Sequence, residues 1–153
     1  MTDKEFVLQT MKQAGLTQAQ AVQGKAPDMT GTELNASADY IPDFSAACAK
    51  MNMLERSPGF VCRSSAGRVV RLLQVYDSTI YTQEPEELPA QWGFAWSTDP
   101  AKALPFVSLS TSPYNTGDCC TEGGRVYRSK IDTNTWAPSE YPDGWEDLGE
   151  VSS

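Results

Sequence analysis

A chain of 153 residues with 40% hydrophobic and 21% charged content has an ordinary globular composition, sized for one domain or two small ones. Its formal charge of −8 and pI near 4.4 argue against nucleic acid and anionic membrane surfaces, because binding to either rests on Lys and Arg neutralising phosphate. The absence of any histidine removes Ser–His and Cys–His nucleophile pairs and every Cys/His zinc site.

The chain opens on Thr2-Asp3-Lys4-Glu5, which has the spacing of a capping box, and Phe6, Val7, Thr10, Met11 and Ala14 then share one helical face up to Gly15. Thr17-Gln18-Ala19-Gln20 repeats the cap logic for a shorter helix closed by Gly24. This start lacks the apolar stretch of a signal peptide, and no run long enough to span a bilayer occurs, so synthesis in a cytoplasm is expected, with export as part of a particle left open. Residues 25 to 42 carry Pro27, Gly31, Pro42 and many small polar side chains, and read as a linker with one turn at Thr30–Glu33. Phe44, Ala47, Cys48, Met51 and Leu54 then follow i, i+3, i+4, i+7 and i+10, the spacing of a helix over 43–55 that Ser57-Pro58-Gly59 stops.

From Gly59 onward the chain reads as one unit written twice. Pro85, Pro89 and Trp92 recur as Pro138, Pro142 and Trp145, each pair 53 positions apart (145 minus 92, and so for the others). Gly67-Arg68-Val69-Val70-Arg71 recurs as Gly124-Arg125-Val126-Tyr127-Arg128, and Cys62 as Cys120. A self-match at nearly fixed spacing is the signature of a duplicated supersecondary unit. In the second copy Gly123-Gly124 separates two β-prone segments in the manner of a hairpin, and Ser64–Gly67 does the same in the first. The prolines fix φ and cannot sit in a central strand, so each Pro-x3-Pro span is a stiff loop that returns its Trp to the hairpin. The fold class expected is α+β: short N-terminal helices and linker over 1–38, then two small three-stranded antiparallel β-modules related by duplication, over 39–97 and 98–150. Modules of about 50 residues sit near the lower limit for an independent core, so they should pack on each other, on the N-terminal segment or on other subunits.

Cys48, Cys62, Cys119 and Cys120 contain no C-x2-C pair, and buried structural thiols with no metal or cofactor are expected. Adjacent strand residues face opposite ways, which predicts one of Cys119 and Cys120 in the core and the other partly exposed.

The residues Tyr114-x2-Gly117-Asp118, Gly124-x2-Tyr127-Arg128-Ser129, Trp136-Ala137-Pro138 and Tyr141-Pro142-x2-Trp145-Glu146 resemble carbohydrate-binding modules of families 5 and 12, and more closely their relatives in phage and prophage tail proteins. In the first copy the resemblance is carried by Gly67 to Gln74 and Pro85 to Trp92. It also aligns Ile41-Pro42-Asp43-Phe44 with the first strand of a module, against the helical spacing above. The resemblance implies a non-catalytic protein that stacks sugar rings on exposed aromatics. Where those modules carry an aromatic pair, this chain has Ile131-Asp132, which leaves Trp136 as the substitute platform.

Catalysis has little support in the sequence. There is no phosphate-binding Gly loop, and Glu84, Glu86, Glu87, Asp143, Glu146 and Asp147 sit beside turns, where carboxylates ordinarily solubilise. The aromatics say more, since Trp and Tyr suit both sugar faces and protein interfaces. Trp92 and Trp145 read as core lids; Trp136, Tyr141 and Tyr114 in the second module, and Trp96 and Tyr81 in the first, are the candidate contact residues. Two functions follow. The modules are structural parts of a phage tail or baseplate, burying these aromatics against other virion subunits or copies of the chain in a homo-oligomer, or they bind a cell-wall or surface polysaccharide. The missing aromatic pair tilts the sequence toward the first.

Overall fold

The computed structural model describes residues 4–6 and 19–151, so most of the helix expected over 2–14 lies outside the described residues. Residues 4–6 are helical, as are 19–25 (α1), which run through Gly24 rather than stopping there. They pass into a 3-10 turn at Ala26–Asp28 with Pro27 in its first turn, where the missing N–H costs nothing.

The segment expected as a linker is ordered structure. Helix α2 (Gly31–Ala36) begins with a complete capping box: the Thr30 hydroxyl accepts the Glu33 N–H at 3.1 Å, and the Glu33 carboxylate accepts the Thr30 N–H at 3.2 Å. A 3-10 turn at Ala38–Tyr40 follows. Val22, Ala26, Leu34 and Ile41 from this region bury with Val61 and Val69 in one cluster. Asn35 ties α2 down by donating to the carbonyl of Ala95 at 3.0 Å. Gly31 is a requirement of that docking, because a Cβ there would lie 2.2 Å from the Trp96 carbonyl oxygen.

The helix expected over 43–55 is two pieces: α3 (Phe44–Lys50), then a 3-10 turn at Met53–Glu55 after Met51 becomes extended. The break lets Asn52 cap the second piece through Leu54 N–H while also accepting the Ser78 N–H. Just before α3, Asp43 makes a parallel bridge to Arg63, so the strand-like and helical readings of Ile41–Phe44 each describe part of the segment.

Two sheets follow. Strands β1 (Val61–Arg63), β2 (Val69–Leu72) and β3 (Trp92–Ala95) form an antiparallel meander, with Cys62 opposite Val70 and Leu72 opposite Trp92. The second sheet has four strands where three were expected. Strand β4 (Leu104–Pro105) runs parallel to β5 (Cys119–Glu122), followed by the antiparallel β6 (Arg125–Ser129) and β7 (Trp145–Glu150). A proline in β4 is compatible with its edge position, since only a central strand needs N–H groups on both sides. The protein is therefore α+β, with a few short helices and two sheets.

The two meanders share local detail. In both, the connection to the Trp-bearing strand is a pair of proline-led turns. Glu87 N–H donates to Glu84 and Gln91 to Leu88; 53 positions on, Glu140 donates to Ala137 and Gly144 to Tyr141. The strand that follows begins with a buried tryptophan, Trp92 or Trp145. Phe44 packs edge-on to Trp92 at 5.7 Å and 84°, and Phe106 edge-on to Trp145 at 6.0 Å and 89°. Each phenylalanine follows a residue bridged in parallel to the first strand of its meander: Asp43 to Arg63 and Pro105 to Thr121. Each indole N–H also finds an acceptor in the connection before it, the Tyr76 hydroxyl at 3.0 Å and the Trp136 carbonyl at 2.8 Å.

The sheets pack against each other through a ladder of rings. Trp96 stacks on Tyr114 at 4.3 Å and 11°, with Phe94 beyond Trp96 and Phe106 beyond Tyr114. Buried Arg68 pairs with Glu86 at 3.0 Å and donates to the Pro105 carbonyl at 2.6 Å. Cys119 is buried along with Cys120, contrary to the alternation argument, because the chain around Ser97 and Thr98 covers its face: Cys119 N–H donates to the Ser97 carbonyl, and its Sγ lies 3.7 Å from that of Thr98.

Candidate functional site

The site is built on the connection between β6 and β7. Its centre is Asn134, fully buried, which donates to Ser129 Oγ at 3.1 Å and the Gly144 carbonyl at 3.3 Å and accepts the Trp136 N–H at 3.2 Å. The Trp136 carbonyl accepts the Trp145 indole N–H. The main chain at Trp136 is thus fixed on both sides while its indole stays 48% exposed. The Ala137 carbonyl accepts the N–H groups of Glu140 and Tyr141, and this turn presents the Tyr141 ring, 39% exposed. Gly144 lies against that ring so closely that a Cβ would sit 2.9 Å from Tyr141 Cδ2.

Trp136 and Tyr141 stand 5.7 Å apart with their planes at 75°, so they make a corner and not a flat platform. With Ile131, Asp132, Thr133 and Glu140 they line an open hollow of about 710 Å3. Thr133 has φ +55°, a left-handed conformation that costs a β-branched residue about 1–2 kcal/mol. It is held there by its N–H donating to Asn115 Oδ1 at 3.0 Å. The Asp132 carboxylate accepts the Thr116 N–H at 3.0 Å, and this bonding keeps its pKa below the ordinary value. The loop through Asn115 and Thr116 therefore braces both strained and charged members of the hollow. Residues held in sparsely populated backbone conformations by their neighbours cluster at active sites and ligand clamps. No ion pair among the described residues involves Asp132 or Glu140.

A second hollow, of about 490 Å3, lies between the sheets, lined among others by Arg71, Phe94, Trp96, Ser112, Asn115 and Asp118. Burial raises the Asp118 carboxyl, while its Oδ2 accepts the Asn115 N–H at 2.8 Å.

Of the residues expected to make contacts, Trp136 and Tyr141 come together in one hollow. Tyr114 does not join them: it is 1% exposed, clamped between Trp96 and Phe106, and belongs to the core between the sheets. Trp96 is half-buried in the same stack, its indole N–H donated to the Ser112 carbonyl, and lines only the second hollow. Tyr81 is exposed beside Ile80 on the β2–β3 connection, apart from the Trp136 hollow. None of the six carboxylates weighed for catalysis lines the hollow. Glu86 is engaged by Arg68, Asp147 by Arg125 and Glu84 by the Ser65 N–H. Among the described residues no group of His, Cys, Asp and Glu could hold a metal ion. Thr133 and Glu140 were not singled out in the sequence. Glu140 carried a signal, as a carboxylate in the proline span beside Tyr141, whereas nothing in the sequence marks Thr133 as left-handed.

The fold and site together define a small two-sheet α+β protein whose β6–β7 connection carries an aromatic and acidic hollow. No protein-family model, curated protein or solved structure matches the chain. No helix among the described residues is long and apolar enough to cross a membrane.

Proposed function

We propose that this protein is a non-catalytic binding module that takes a saccharide in the hollow walled by Trp136 and Tyr141. The observation that carries the reading is two exposed aromatic rings on a loop pinned by the Asn134 and Ala137 hydrogen bonds, with two carboxylates beside them. Aromatic faces gain from apolar sugar faces, carboxylates accept hydroxyl hydrogen bonds, and a preformed site avoids the ordering cost of assembling one. The corner geometry suits a chain end or a branch, since a flat polysaccharide face requires coplanar rings. The same reading takes the two meanders as descendants of one duplicated unit, supported by the equivalent proline turns, indole anchors and edge-on phenylalanines. Trp136→Ala tests it: retention on a cell-wall or surface polysaccharide should vanish at unchanged solution mass. No retention by the unmutated protein would end the proposal.

Assembly in a phage tail or baseplate is the second reading. It is favoured by the exposed apolar side chains Leu73, Val75, Ile80 and Tyr81 on the β2–β3 connection, which burial against another subunit would remove from water. Light scattering decides this one. A mass that rises with concentration and falls back in Ile80→Asp supports it, and a monomer at all concentrations counts against it.

A further inference from the structure

Resting on the saccharide reading, we infer that the Trp136–Tyr141 corner takes a positively charged amino group, so that the ligand is an amine-bearing sugar. Three observations converge. The rings meet at 75°, so a group seated in the corner meets the two rings in different orientations, an arrangement suited to a compact cation that draws on ring faces and poorly suited to a flat pyranose lying on two coplanar platforms. Asp132 and Glu140 line the same hollow, and no ion pair among the described residues involves either. The Thr116 N–H bonded to the Asp132 carboxylate favours its ionised form, so a negative charge is in place at neutral pH.

The charge of the whole chain acts in the same direction. At −8 it repels uronate and phosphate polymers at long range and attracts polyamines. Within the hollow an acidic sugar would bring a third carboxylate beside Asp132 and Glu140, while an N-acetylated sugar would replace the attracted cation by a neutral amide. The hollow is large enough for a sugar ring as well as the amine it carries. The carboxylates thus set which sugar is taken, and the rings supply contact common to many sugars.

The test compares a glucosamine oligomer, its fully N-acetylated counterpart of equal length and a polyuronate oligomer, titrated at low salt and followed by indole fluorescence and calorimetry. The glucosamine oligomer should bind at least about tenfold tighter than the N-acetylated one, the polyuronate should not bind, and added salt should erode the difference. Asp132→Asn with Glu140→Gln should remove the preference while leaving residual binding, and Trp136→Ala should remove binding of every oligomer. Equal affinity for the amine and its acetylated form, both lost in Trp136→Ala, would overturn the amine inference and leave the saccharide reading standing. Should no oligomer bind, tetramethylammonium gives the separate answer. A shift of the Trp136 indole NMR signal that disappears in the Asp132→Asn, Glu140→Gln pair supports a cation site without a sugar, and an unmoved signal removes both ideas.

Discussion

Replacing Tyr76 by Phe removes a single oxygen from the first meander and tests how the indole anchor works. Trp92 is fully buried, and its Nε1–H donates to the Tyr76 hydroxyl at 3.0 Å; the rings also meet edge-on at 6.2 Å. Phe preserves the ring contact and strands a buried donor, which costs about 1–3 kcal/mol, more than the net worth of an ordinary hydrogen bond. For a chain of this size each kcal/mol is about 2–4 °C of melting temperature, so Tyr76→Phe should melt roughly 4–8 °C lower at the middle of that range. Urea unfolding at constant m-value gives the free energy directly. The cycle with Trp92→Phe separates the bond from the burial: once the donor is gone, removing the hydroxyl should cost far less, a coupling of about 1–2 kcal/mol. The pH dependence has a definite sign. Burial pushes the Tyr76 phenol from 10.0 up to about 12, so its contribution is complete below pH 10 and lost as pH rises toward 12. A Tyr76→Phe penalty under about 0.5 kcal/mol, or additivity in the cycle, would show that the hydroxyl is not the anchor.

Glu86→Ala strips the partner from an arginine that is almost wholly buried and should cost about 3 kcal/mol in urea unfolding, whereas Asp147→Ala, which breaks the solvent-exposed Arg125 pair between β6 and β7, should leave the unfolding midpoint nearly unmoved. Asn134→Ala removes the hub of the β6–β7 connection and should destabilise by about 2–3 kcal/mol, with a matching loss of ligand retention. All four cysteines are free thiols, and burial pushes Cys120 up to about 12 and Cys62 higher still. An aromatic disulfide reagent at neutral pH should therefore leave Cys62 and Cys120 unreacted in the native protein and titrate all four only in denaturant; fast native reaction at Cys62 would contradict the burial.

The sequence carried the parts of the fold that depend on local punctuation. Gly67 and the Gly123–Gly124 pair do turn the two hairpins with positive φ, and the matched prolines do lead into strands that start on buried indoles. What escaped depended on partners distant in the chain. Thr30-x-x-Glu33 is a full capping box inside a stretch whose Pro, Gly and small polar residues suggested a linker; Leu34 and Ile41 are core residues there only because Val61 and Val69 cover them. Tyr114 looked like a surface aromatic because nothing near it in sequence buries it, and the rings that do are Trp96 and Phe106. The fourth strand of the second sheet is two residues long and forms only where β5 is already present. At the candidate site, Trp136 and Tyr141 were legible as aromatics framing a proline span, whereas the left-handed Thr133 follows from its bond to Asn115, which no local pattern encodes.

The two tryptophan anchors differ in one respect that bears on how such a site could diversify. Trp92 leans on the side chain of Tyr76, so that position is tied to a hydroxyl. Trp145 leans on the main-chain oxygen of residue 136, an atom every amino acid supplies. The outward side chain at 136 can therefore be exchanged without unfastening the core beneath it, so the face it presents to solvent is free to vary one codon at a time while the scaffold stays intact.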